Sequence, residues 1–154
     1  MKVKPSPEIR KQNYLQLGVE VYGGALLHPW FDRDLSIAGR VDFQTKKGEL
    51  KTSFINFEDP VAFIPSLAIH LNRTANDGNK INKQRELPPI LMQLGDKSKF
   101  SFDDLLLKTL RKNPANRTAD SILAHELFLY DTQEPGLVGL KQDFIASARL
   151  DNLL

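Results

Sequence analysis

Alternation of apolar and polar residues dominates the first part of the chain. In the run that begins at Tyr14, one parity is apolar and the other is polar or small; the apolar set is Leu15, Leu17, Val19 and Val21. A period of two with β-branched residues is typical of a half-buried strand. The pattern therefore predicts a strand here, with a bulge or a close backbone approach at Gly23-Gly24.

Two further runs predict neighbouring strands. The second run has an apolar face made of Leu35, Ile37, Val41 and Phe43. Thr45 to Gly48 ends in the glycine of a tight turn, and Leu50 to Phe57 supplies a third strand. Three successive strands with short connections indicate an antiparallel meander rather than parallel strands joined by helices.

Helical signals occur at three places. Pro65-Ser66 predicts the start of a short helix through His70 to Arg73, because a serine side chain satisfies a free amide of a first turn. Ser101 with Asp104 resembles a capping box that opens a helix from Phe102 to Lys112, which Asn113-Pro114 stops. The range 118–123 predicts one further helical turn.

The remaining patterns complete a fold-class prediction. Leu87 to Leu94 is short and apolar, and Pro88-Pro89 confines it to the edge or start of a strand. The ranges 125–130 and 143–150 read as extended, whereas 74–86 reads as an exposed loop. Together the patterns predict an α+β fold, with a strand-rich antiparallel sheet or a barrel-like core and two or three helices.

Composition restricts the class of protein. The chain has 154 residues, of which 41% are hydrophobic and 26% charged, and these values are those of an ordinary soluble domain. A formal net charge of +2, without a basic stripe, argues against nucleic acid as a partner. Cysteine is absent, which excludes disulfides and thiolate zinc sites within the chain. We expect a cytoplasmic protein without a membrane partner, because the start is polar and no apolar run approaches the roughly 20 residues of a membrane span.

One short segment concentrates groups that bind metals. His28, Asp32 and Asp34 lie within seven residues, and imidazole with carboxylates is a donor set that zinc accepts. The competing interpretation is a turn in which the aspartates pair with Arg33 and with backbone amides. We favour the turn, because an arginine between two carboxylates neutralises them without a metal.

The other two histidines differ in their settings. His125 and Glu126 follow each other in an alternating run, so their side chains should lie on opposite faces of a strand and have structural roles. His70 lies among leucine, alanine and isoleucine, where a partly buried structural histidine is the ordinary interpretation. The sequence contains no G-x-S-x-G elbow, no phosphate-binding glycine loop and no H-E-x-x-H. From its residues alone, the chain contains no complete active site.

Four segments, in order and with matching spacing, resemble the aspartyl aminopeptidase and aminopeptidase I family of metallopeptidases. The segments are Gly18 to Gly24 with Trp30 to Leu35 and Ala38 to Val41, then Ile64 to Arg73, then Glu126 to Gln133, and then Phe144 to Asn152. The blocks W-F-D-R-D-L and R-L-D-N are long and specific. The resemblance covers nearly the whole chain.

The resemblance implies a piece of a larger enzyme. Members of this family have a proteolytic domain interrupted by an inserted dimerisation domain, and their dimers assemble into a dodecamer. The resemblance implies that residues 1–10 end a first proteolytic segment, 11–145 form the dimerisation domain, and 146–154 begin a second proteolytic segment. The chain ends on an apolar pair, which agrees with an internal cut.

The resemblance also implies roles for two residues. Asp151, inside R-L-D-N, resembles the aspartate that bridges two zinc ions, for which cobalt or manganese are alternatives. His70 resembles the histidine that the dimerisation domain sends into the active site of the neighbouring subunit to stabilise the tetrahedral intermediate. A single carboxylate does not hold a catalytic zinc, so we expect no metal on this chain alone and no activity from it.

The sequence thus predicts a fragment of a metal-dependent aminopeptidase that removes N-terminal residues, in particular acidic ones, from peptide substrates. Its partners would be further copies of itself, in a dimer and a dodecamer. The alternative is a self-contained homo-association module with no catalytic role. A small barrel that binds nucleic acid is a third hypothesis, and the balanced charge opposes it.

Overall fold

The computed structural model describes residues 1–95 and 99–148, and these ranges form mainly antiparallel sheet. The strands are β1 Lys2–Lys11, β2 Tyr14–Glu20, β3 Leu35–Thr45, β4 Leu50–Asn56, β5 Ile90–Gln93, β6 Ala119–Asp131, β7 Gly136–Val138 and β8 Phe144–Ala146. The helix α1 spans Phe102–Leu110, and short 3-10 turns lie at His28–Trp30 and Pro114–Asn116. Six strands form one open sheet in the order β4-β3-β6-β1-β2-β5, and β7 pairs with β8 in a separate hairpin.

The core lies between one face of the six-stranded sheet and α1. Alternate residues of β2 and β3 point into it, as the period-two pattern predicts; the fully buried ones are Leu15, Leu17, Leu35, Ile37, Val41 and Phe43. The helix contributes Phe102, Leu106 and Leu110. Each such side chain contributes roughly 1.5–3 kcal/mol of burial free energy, so the apolar alternation supplies much of the driving force for folding.

The predicted helix from Phe102 is confirmed. The Ser101 side chain accepts a hydrogen bond from the Asp104 amide at 3.2 Å, and Asp103 and Asp104 lie in the first turn, where the helix dipole favours acids. The Glu8 carboxylate of β1 accepts a second bond from the Phe102 amide at 2.8 Å. The helix start is therefore capped both locally and from a distant strand, which ties residues 2–11 to the same domain core.

The predicted α+β architecture is wrong in the number of helices and in the closure of the sheet. Within the described residues there is one α-helix rather than two or three, and the sheet is open rather than a barrel. The range 118–123 is not helical, because it begins β6, which pairs with β3 along its length from Ala119↔Thr45 onward. Backbone pairing with a distant strand here outweighs the local helical preference.

The predicted helix around His70 is also absent. Residues 64–68 have no regular secondary structure, and a turn follows at 69–71. The Ala68 carbonyl accepts from the Leu71 and Asn72 amides at 2.8 and 3.2 Å, but these bonds do not extend into a helix. Leu67, Ile69 and Leu71 are exposed rather than packed on the sheet. A helix here would therefore lack the tertiary packing that stabilises most short helices in proteins.

The predicted meander is only partly correct. β3 pairs with β4 through the tight turn at Gly48, as expected, but β6 and β1 lie between β3 and β2. β5 pairs with β2 at the sheet edge, as the two prolines indicated. The order matters for the site, because it brings the start of β3 and the end of β6 next to the segment that carries His70.

Candidate functional site

The segment from Ile64 to Pro89 leaves the sheet and returns to it. Both ends are secured: Phe63 and Ile90 exchange backbone hydrogen bonds of 3.2 and 2.8 Å, and the Leu17 amide donates to Pro89 at 2.9 Å. Ile64 and Leu87 are fully buried just inside these anchors. We call the exposed stretch 65–86 the His70 segment.

His70 lies at an exposed turn of this segment. The apolar residues around it are exposed as well, with 64% of Leu67 and 69% of Leu71 accessible to solvent. The sequence-based expectation of a partly buried structural histidine is therefore wrong for the described chain. The His70 side chain is exposed rather than part of the buried core of its own chain.

Asp32 connects the His70 segment to the sheet. Its backbone amide donates to the Ile64 carbonyl at 2.9 Å, and its carboxylate accepts from the Ser66 amide at 2.8 Å. The hydroxyl and the amide of Ser66 hold the pKa of Asp32 below its usual value. Asp32 has a left-handed backbone with φ +57°, a conformation that aspartate tolerates better than most residues.

Arg33 binds the opposite side of the same turn. Its guanidinium lies 3.3 Å from the Asp131 carboxylate and donates to Gln133 at 2.9 Å, both near the end of β6. The sequence favours a turn in which the arginine neutralises the neighbouring carboxylates. The structure agrees on the turn, but it gives the arginine Asp131 as partner rather than the neighbouring aspartates.

The metal hypothesis for the segment 28–34 does not fit the geometry. Among residues 1–95 and 99–148, no group of three or more histidine, aspartate or glutamate side chains is arranged to hold an ion. The His28 ring lies beside Phe31, with centroids 6.4 Å apart. Asp151, the metal ligand that the resemblance implies, lies outside the described residues.

A cleft of about 500 Å³ opens between the His70 segment and the sheet edge. Its lining includes His28, Lys11, Arg85 and Glu86 together with Phe31 and Pro65. These groups offer both charges and an imidazole, but they do not form the nucleophile, base and orienting group of a hydrolytic triad. The cleft alone therefore does not define a reaction.

His125 and Glu126 lie on opposite faces of β6, as predicted. Glu126 accepts from Lys2 at 3.0 Å on the outer face. The His125 ring packs edge-on against Phe102, with centroids 5.7 Å apart, and neither ring nitrogen makes a well-formed hydrogen bond to a described residue. Burial lowers the pKa of His125, against the weaker opposing effects of Asp103 and the Pro5 carbonyl.

This burial predicts a pH-dependent stability. Below about pH 6.5 the unfolded chain protonates His125 while the folded chain resists, so the free energy of unfolding should fall as the pH decreases, by at most about 1.4 kcal/mol per pH unit. The His125→Leu variant should show a shallower decline. Urea unfolding at pH 8, 6.5 and 5 measures both slopes, with His28→Gln, an exposed histidine, as the control that keeps the wild-type slope. Equal slopes for all three proteins would contradict the prediction.

Within the described ranges no helix combines the length and apolar character needed to cross a bilayer.

The link between Asp32 and Ser66 was not foreseen from the sequence. The two residues are separated by 34 positions, and neither local periodicity nor a capping pattern reports such a contact. The W-F-D-R-D-L block is the available signal, since it combines aspartates and an arginine at a turn.

Comparisons with known proteins match the whole chain to one family of aminopeptidases. The family model described as aminopeptidase I zinc metalloprotease (M18) matches residues 1–154. Probable M18 family aminopeptidase 2 of Pseudomonas entomophila is 57% identical over 155 residues, which cover 100% of this chain and 35% of that protein. The corresponding Pseudomonas putida KT2440 protein is 56% identical over 154 residues, again 100% of this chain and 35% of that protein. The chain thus spans about a third of the length of these curated relatives.

Solved structures show the same fold. A cryo-EM structure of the Ape4 and Nbr1 complex matches with a TM-score of 0.82 and 33% identity, covering 98% of this chain and 31% of that one. The S. cerevisiae mApe1 dodecamer matches with a TM-score of 0.61 and 25% identity, covering 94% of this chain and 31% of that one.

Proposed function

The chain belongs to the M18 family of aminopeptidase I zinc metalloproteases, and on that premise we propose that it is the association domain of a longer aminopeptidase. The intact enzyme removes N-terminal residues, in particular acidic ones, from peptides. The observation that supports a place in a longer enzyme is the extent of the match: all of the chain is covered, but only 35% of the Pseudomonas entomophila relative. The domain is inactive by itself, and the intact enzyme is a cytoplasmic protein.

The zinc chemistry belongs to the rest of the enzyme. The described residues do not fit a zinc site, since no three potential ligands converge among them. Asp151 would contribute one carboxylate ligand to a pair of zinc ions in the intact protein, and this assignment is supported by the R-L-D-N block alone. The other ligands lie on parts of the enzyme that this sequence does not contain.

His70 acts in the active site of the neighbouring subunit. Its exposed position on an apolar turn supports this role, because the imidazole is not engaged in its own core. A hydrogen bond from the imidazole to the oxyanion of the tetrahedral intermediate stabilises charge that develops only during the reaction. Self-association is therefore part of catalysis and not only of architecture.

Self-association is supported by the edge strand β4. It pairs with β3 on one side and is last in the sheet order, and it exposes Leu50 and Phe54, the latter to 79%. An edge strand with large exposed apolar side chains is a template for pairing with another chain. The alternative function, an association module without a catalytic role, uses the same surface and differs in the roles of Asp151 and His70.

The solution mass of the isolated chain tests the association proposal. Light scattering should report a dimer, with twice the 17.4 kDa mass of one chain. The Phe54→Lys variant should shift the protein toward monomer, because it places a charge in the proposed apolar contact. Lys47→Glu, at the nearby turn, should leave the mass unchanged. A monomer at all concentrations would refute autonomous association by this domain.

A further inference from the structure

The geometry points to Asp32 as a positioning residue that orients the His70 segment for catalysis in the neighbouring subunit, an inference that rests on the function proposed for His70. Asp32 does not itself contact substrate. It binds the polypeptide at the point where the segment leaves the sheet, between Ile64 and Ser66.

The contact is a two-point clamp around Pro65. The Asp32 amide donates to the carbonyl before this proline, at 2.9 Å, and the Asp32 carboxylate accepts from the amide after it, at 2.8 Å. Proline has a fixed φ and no amide proton, so the peptide groups on either side are the ones available to hold the chain here. Fixing both of them defines the direction in which the segment leaves the sheet.

Neighbouring residues connect Asp32 to the sheet. The 3-10 turn His28–Trp30 precedes it, and Arg33 binds Asp131 at the end of β6. β3 begins at Leu35, whose amide donates to Ala62 at 2.9 Å. The two hydrogen bonds of Asp32 therefore fix the segment relative to the central strands β3 and β6.

His70 follows the clamp closely in the chain. The Ala68 carbonyl, which accepts from Leu71 and Asn72, forms the turn on which His70 lies. The backbone exchange between Phe63 and Ile90 joins the two ends of the segment. The contact of Asp32 with Ser66 holds the segment shortly before His70. Loss of that restraint should displace the imidazole without unfolding the sheet.

A double-mutant cycle in the intact enzyme tests this role. Asp32→Ala should lower kcat between about 10-fold and about 100-fold, because small misplacements of a catalytic group have effects of that order. KM should change little, since Asp32 does not touch substrate. In a His70→Ala background the same substitution should have no further effect on kcat, because the group that it positions is gone.

Two matched variants sharpen the result. Asp32→Asn keeps an oxygen that accepts from the Ser66 amide and should recover most of the lost kcat. Asp59→Ala removes another exposed aspartate, outside the His70 segment, and should leave kcat unchanged. Hydrogen exchange of residues 66–73 should be faster in Asp32→Ala than in either control, with the exchange of the β3 and β6 amides unchanged.

The outcomes separate this inference from the proposed function. If His70→Ala lowers kcat but Asp32→Ala is silent, or lowers kcat equally in both backgrounds, the positioning role is refuted and the role of His70 stands. If His70→Ala leaves kcat unchanged, the proposed function of His70 fails and the positioning role fails with it.

Discussion

Replacing His70 by alanine in the intact enzyme should lower kcat by about 100- to 1000-fold, the effect of removing one donor to an oxyanion. The expected loss is in kcat rather than in KM, because the interaction forms only as charge develops in the transition state. Stability should be unaffected, since His70 lies on an exposed turn outside the buried core. Steady-state kinetics with an N-terminal aspartyl peptide measure the effect.

Two control variants and the isolated chain show whether a loss of kcat is specific to the His70 imidazole. Asn76→Ala changes another exposed polar residue of the same segment and should keep full activity. His70→Gln retains a hydrogen-bond donor and should be less impaired than His70→Ala. The isolated chain should release no amino acid, with or without zinc. Metal-dependent turnover by the isolated chain would refute the proposal that it is an inactive domain.

Mixed oligomers distinguish a role in the neighbouring subunit from a role in the same subunit. A His70→Ala subunit retains its own Asp151, and an Asp151→Asn subunit retains its own His70. If His70 acts across the interface, co-assembly of these two inactive variants should restore one complete site in each mixed dimer. Recovery no greater than the sum of the separate variants would contradict action in the neighbouring subunit.

Gly39→Ala should destabilise the domain by about 3 kcal/mol or more, placing it among the severe single substitutions. Gly39 lies in β3 with φ +151°, and a Cβ built there would be 2.2 Å from the Glu126 carbonyl oxygen and 2.9 Å from the Leu127 Cα. Both contacts are with the backbone of β6, which cannot move aside as a flexible side chain would. The substitution should therefore separate the two central strands, and urea unfolding at neutral pH measures the loss.

Gly24→Ala is the matched control. A Cβ at Gly24 would meet no atom within 4 Å, and no left-handed φ is involved. The change in the free energy of unfolding should therefore stay within about 0.5 kcal/mol, the usual range for surface substitutions. A Gly39→Ala variant as stable as Gly24→Ala would contradict the close approach of β3 and β6.

The elements that the sequence predicted well are those with local causes. The buried faces of β2 and β3 follow from alternation, and the helix from Phe102 follows from the Ser101 cap and the stop at Asn113-Pro114. Each depends on residues within a few positions of one another, so propensity and capping suffice to indicate it. The family assignment is likewise carried by contiguous blocks, and the matching family model confirms it.

The failures share a non-local cause. The range 118–123 became strand through pairing with β3, and the segment near His70 stayed non-helical while Ser66 bound Asp32. The segment 28–34 forms the turn that the sequence favoured over a metal site, but Arg33 pairs with Asp131 rather than with the neighbouring aspartates. None of these partners is near in sequence, and hydrogen-bond or ion-pair chemistry alone does not select among many possible partners.

The sequence by itself determined the strand faces, the capped helix, the family and the two residues to test, His70 and Asp151. Only the tertiary structure decided the order of the strands, the open sheet, the exposure of His70 and the anchoring of its segment by Asp32. Local patterns express the preferences of a residue and its immediate neighbours. Which distant strands pair, and which side chain meets which amide, depends on burying all the apolar faces at once while every buried backbone group finds a partner.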